Sequence, residues 1–159
     1  MSYTNSDGLY VLTNGDQGTV LTQGVTAGSN RQVMVLDYTL TELGTTFGSS
    51  NINPQNPFIP AGSVILSATI VMTTAADSGG SATLTIGTYN SAGTAIDADG
   101  IDATVAVAAL GASATVRCDG AHLTTGGYLT ANAYIGAIYA TAAFTAGVAK
   151  VIIEYAKVV

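Results

Sequence analysis

Apolar and small polar residues alternate along much of the chain, and this period of two constrains the fold more than any other feature. In residues 63–74 the odd positions are mostly Ser and Thr. Successive side chains of a β-strand point to opposite faces, so this segment is predicted to be a strand with one buried and one solvated face. The residues predicted to face the core are Val64, Leu66, Ala68, Ile70 and Met72.

Three further segments show the same alternation. Residues 81–89 place Ala82, Leu84 and Ile86 on one face, and residues 148–158 do the same with Val151, Ile153 and Tyr155. Residues 75–80 (AADSGG) have the composition of a hairpin turn, which predicts pairing between the first two strands. In residues 31–40 the inward set is Met34, Leu36, Tyr38 and Leu40.

Shorter strands are predicted at 9–13, 18–23, 114–118, 128–135 and 137–142. About eight or nine strands with frequent turn signals indicate an all-β fold, an antiparallel sandwich or a barrel. Residues 97–110 are ambiguous. Asp99 or Asp102 could cap a short helix over 99–110, whereas the alternation of Val105 and Val107 fits a strand.

The length of 159 residues predicts a single domain. Residues 44–62 contain all three prolines among Ser, Asn and Gly, and are predicted to form one long loop. Residues 1–30 are polar and lack a long apolar period, so they are interpreted either as edge strands or as an N-terminal arm. The N-terminus has no basic, apolar leader, so we expect no secretory signal.

Charged residues make up only 9% of the chain, with four cations and ten acids giving a net charge of −6. Four scattered cations are too few to neutralise a phosphate backbone, which argues against nucleic acid and anionic membrane as partners. No apolar run reaches the length of a membrane-spanning helix. A surface built from Ser, Thr and Ala also lacks most of the groups that perform catalysis, so we expect an assembly protein and no enzyme.

Two constellations were candidates for chemistry. Cys118 and His122 are four residues apart, but the strand pattern turns Cys118 inward and places His122 in a loop, which predicts no nucleophile pair. Asp97, Asp99 and Asp102 surround Gly100, and three carboxylates could bind Ca²⁺; the alternative is an Asp-Gly turn followed by a helix cap. No cofactor and no metal other than this Ca²⁺ is expected.

The eight tyrosines are the other notable residues. Tyrosine is favoured at interfaces, where its apolar ring and polar hydroxyl are both used. Tyr38 and Tyr155 are predicted to face the core. Those predicted to be available to a partner or placed at strand ends are Tyr3, Tyr10, Tyr89 and Tyr128.

Four segments in this order resemble head decoration (cement) proteins of tailed bacteriophages: FIPAGSVILSAT at 58–69, TLTIG at 83–87, AIDADGID at 95–102 and FTAGVAKVIIEY at 144–155. The resemblance implies a jelly-roll-like fold and a homotrimer that binds the major capsid protein on the outer surface of the virion. The alternative from a different class is a receptor- or carbohydrate-binding β-module of a phage fibre or spike. The absence of tryptophan argues mildly against that alternative.

Overall fold

A computed structural model of the chain describes residues 2–4, 10–12, 31–52 and 56–158. The chain divides into two compact units, Met1–Gln32 and Val33–Val159. In the first unit, β1 (Ser2–Thr4) and β2 (Tyr10–Leu12) pair antiparallel, with Tyr3 opposite Val11. The strand predicted at 9–13 is therefore confirmed as β2, and the strand predicted at 18–23 lies outside the described residues.

The second unit is built from two antiparallel sheets. Its strands are β3 (Arg31–Thr39), β4 (Phe58–Ile59), β5 (Ser63–Ser78), β6 (Thr83–Tyr89), β7 (Ala95–Ala106), β8 (Thr115–Arg117), β9 (Gly127–Leu129), β10 (Ala133–Ala140) and β11 (Phe144–Lys157). One sheet has the order β4-β10-β6-β7. The other has the order β3-β11-β5-β8, with β9 pairing beside β5. The expected all-β sandwich of eight or nine strands is confirmed.

The strand order is that of a jelly roll. When the short β9 is set aside, the first strand pairs with the last, the second with the second-last, and so on inward: β3 with β11, β4 with β10, β5 with β8, and β6 with β7. A long antiparallel hairpin rolled up in this way gives the two four-stranded sheets of a double Greek key.

The inner faces of both sheets form one apolar core. The residues predicted to face inward in three segments are nearly all buried: Ala68, Ile70 and Met72; Ala82, Leu84 and Ile86; and Val151, Ile153 and Tyr155. Met34 and Leu40 of the first long segment are buried as well, and the Tyr38 hydroxyl donates a hydrogen bond across the sandwich to the Ile135 carbonyl at 3.0 Å. Burial raises the pKa of Tyr38 strongly, so its hydroxyl stays protonated.

The prediction that Val64 and Leu66 face the core is wrong. Tyr155 lies opposite Ile65 but Glu154 lies opposite Ser67, so Leu66 is an extra residue in β5. This β-bulge inverts the inside–outside order of the strand, because an added residue shifts the period of two by one. Ile65 is buried as a result, while Leu66 is 44% exposed.

The predicted hairpin at residues 75–80 is also wrong. β5 continues to Ser78, and β5 and β6 belong to different sheets, so the turn carries the chain from one layer of the sandwich to the other. Turn composition identifies a change of direction but does not specify whether the two strands pair afterwards.

The helix considered for residues 99–110 does not form. The segment is β7, which pairs with β6, and a single 3₁₀ turn over Val107–Ala109 follows it. Tertiary pairing outweighs the weak local preference, and the alternative interpretation as a strand is the correct one.

The strands predicted at 128–135 and 137–142 have different boundaries in the structure. Residues 130–132 separate β9 from β10. Ile135 and Ala137 belong to one continuous strand, β10. The strand predicted at 114–118 is confirmed as β8.

The long segment predicted as a loop is mostly irregular where it is described. It contains the 3₁₀ turn Ser49–Asn51 and the two-residue β4. Phe47 packs on Tyr89 with ring centroids 4.4 Å apart, which covers part of the four-stranded sheet. Tyr89 is therefore only 4% exposed and is the last residue of β6, so of its two predicted roles the structural one at a strand end is correct. Tyr128 is 51% exposed.

Candidate functional site

The Cys118 thiol lies in the core next to Asp102. Its side chain is buried and hydrogen-bonds to the Asp102 carboxylate. Burial, reinforced by the negative charge of Asp102, raises the pKa of Cys118 to about 12. The thiol is therefore protonated at neutral pH and is a poor nucleophile.

His122 serves the packing of the sandwich. It begins a single π-helical turn, His122–Gly126, and its Nε2 atom lies 3.0 Å from the Oγ1 atom of Thr88 on β6. Because the Thr88 side chain is fully buried, no substrate can reach its hydroxyl. Cys118 and His122 thus bond to different residues, Asp102 and Thr88. His122 lies in a helical turn and not in the loop that the sequence predicted.

Gly100 lets the His122 ring lie directly on β7. A Cβ atom at this position would approach the imidazole Cδ2 atom to 2.5 Å and the Asp97 Cγ atom to 2.9 Å. Any side chain here would displace the ring or the carboxyl group. The glycine between Asp99 and Ile101 is thus explained by close packing in a strand.

The three aspartates predicted as a Ca²⁺ site are distributed along β7. Asp102 is buried and accepts hydrogen bonds from the Thr104 backbone N–H and the Cys118 thiol, Asp97 is half-buried, and Asp99 is exposed. Burial, and secondarily the charge of Asp119, raises the pKa of Asp102. Among residues 31–52 and 56–158, no three His, Cys, Asp or Glu side chains are grouped to hold a metal ion. The Ca²⁺ site stays a prediction without a ligand cluster in this part of the chain.

The two glutamates, Glu42 and Glu154, have separate surroundings. Glu42 lies in the 3₁₀ turn after β3, and Glu154 lies in β11, where one of its carboxylate oxygens accepts a hydrogen bond from the Ser67 hydroxyl. They sit on different elements.

The surface offers a small cleft next to the β-bulge. It has a volume of about 290 Å³, and Leu66 and Leu123 form apolar parts of its wall beside Arg117 and Asp119. The bulge is what exposes Leu66 here. The period of two had placed Leu66 in the core because that prediction assumes an unbroken strand.

The edge strand β3 presents a second exposed apolar surface. Val33 and Val35 are 62% and 52% exposed, on the side of β3 opposite Met34. A groove of about 550 Å³ runs beside them, lined also by Phe58 and Tyr155. The sequence contains a signal for this surface, because both the odd and the even positions of β3 carry large apolar residues. The prediction considered only the set that faces the core.

No protein-family model matches the sequence, and no curated protein shows significant similarity to it. A chain in the solved structure "Capsid of Ralstonia phage GP4" shares the fold, with a TM-score of 0.53 and 15% sequence identity. The alignment covers 84% of this chain and 88% of that chain. The similarity therefore extends over nearly the whole of both chains and concerns the fold. No helix in the described part of the chain is long and apolar enough to cross a membrane.

Proposed function

We propose that the protein is a non-enzymatic structural protein of a tailed-phage virion that decorates the outer surface of the head. The observation that carries the proposal is the jelly roll shared with a chain of a phage capsid over most of both lengths. The resemblance of residues 58–155 to decoration proteins, which came from sequence alone, points to the same class.

The composition of the surface supports an assembly role. The outward positions of β5 and β6 carry Ser67, Thr69, Thr83 and Thr85 where Lys and Glu are common, and charged residues make up only 9% of the chain. Charged residues are depleted in the cores of protein interfaces because burying an unpaired charge is costly. Such a surface can be covered by other protein chains with little loss of hydration.

The environments of the reactive side chains support a non-enzymatic role. The thiol of Cys118 is protonated, and the hydroxyl next to His122 belongs to a buried threonine. The proposed partner is the major capsid protein, and the proposed assembly is the homotrimer that the resemblance implies. Stabilisation would come from buried interface area and main-chain pairing, without covalent chemistry.

Cosedimentation with phage heads tests the proposal. Purified protein is mixed with heads that lack it, and in parallel with host cells, and the bound fraction is measured after centrifugation. We expect saturable binding to the heads, a higher temperature of head disruption, and no binding to cells. Binding to cells or glycans without binding to heads would favour the receptor- or carbohydrate-binding module instead and would contradict decoration.

A variant that separates folding from binding sharpens the experiment. Residues 1–25 are polar, so we expect their deletion to weaken binding to the heads more than it lowers the melting temperature. The full chain is the reference. Loss of folding in the truncated chain would show that this segment is part of the folded core.

A further inference from the structure

We draw no further inference here: the strongest candidate, the cleft beside the β-bulge of β5 that Leu66 and Leu123 line next to Arg117, is an exposed apolar surface, and nothing in the described part of the chain shows what covers it.

Discussion

Among the described strands, β3 and β7 are the long ones that end the strand orders of the two sheets, and their side chains differ in kind. β7 has twelve residues, with Asp97 and Asp99 along it and irregular pairing with β6. β3 has nine residues and exposes two valines. Carboxylates and bulges are devices that keep an edge from pairing with other chains. β7 carries both, whereas the exposed side of β3 presents two valines.

The two edges are also anchored differently. β7 lies against Gly87 of β6 and against His122, which reaches Thr88 in the core. β3 is tied to the other sheet by the Tyr38 hydroxyl bond to Ile135. Variants in these contacts therefore measure how much each edge strand contributes to the stability of the fold.

The largest expected effect is at the contact between β6 and β7. A Cβ atom at Gly87 would lie 2.1 Å from the Ala98 carbonyl oxygen, so Gly87→Ala must push the two backbones apart. We expect a loss of about 3 kcal/mol in the free energy of unfolding, at the upper end for overpacking. Denaturant unfolding measures it.

Gly79→Ala is the matched control for this variant. Nothing lies within 4 Å of the added Cβ atom in the β5–β6 turn, so its midpoint should stay close to that of the wild type. Equal denaturation midpoints for Gly87→Ala and Gly79→Ala would show that the close contact between β6 and β7 does not contribute to stability.

A middle-sized effect is expected from the two hydrogen bonds that anchor the edges. Thr88→Val removes the partner of His122 Nε2 and should cost about 1–3 kcal/mol, because a half-buried polar group loses its bond. Tyr38→Phe removes one bond to a backbone carbonyl and should cost about 1 kcal/mol. A larger loss in the tyrosine variant than in the threonine variant would reverse the ranking of the two anchors.

The smallest effect is a pH dependence at β7. Burial raises the pKa of Asp102 in the folded chain above its unfolded value, so its contribution to stability is complete below the unfolded pKa, about 3.9, and is lost as the pH rises through the folded pKa. Asp102→Asn cannot ionise and should gain stability relative to the wild type as the pH rises from 4 to 7. A difference between the two proteins that does not change with pH would contradict this.

The sequence alone was sufficient for the regular parts of the fold. In β11 and the second half of β5 the alternation is uninterrupted, so Ile70, Val151 and Ile153 could be assigned to the core from their spacing. The exposed Leu66 could not, because a bulge depends on how the partner strand fits and leaves no signature in the period of one strand.

The arrangement around β7 also depends on tertiary contacts. The interpretation of Gly100 required knowing that His122 packs on it, and the two residues are far apart in the sequence. The sequence left Tyr89 open between a partner surface and a strand end, because the residue that covers it, Phe47, comes from a loop with no periodicity. The resemblance in the sequence predicted the jelly-roll fold, while the contrast between the two edges required the sheet order.

The most direct test of the proposed function is an electron cryomicroscopy reconstruction of phage heads incubated with the protein, compared with heads alone. We expect added density on the outer surface of the shell that accommodates two facing sheets of this jelly roll, in contact with the major capsid protein. Heads with no added density at saturating protein, or density confined to the inner surface, would contradict it.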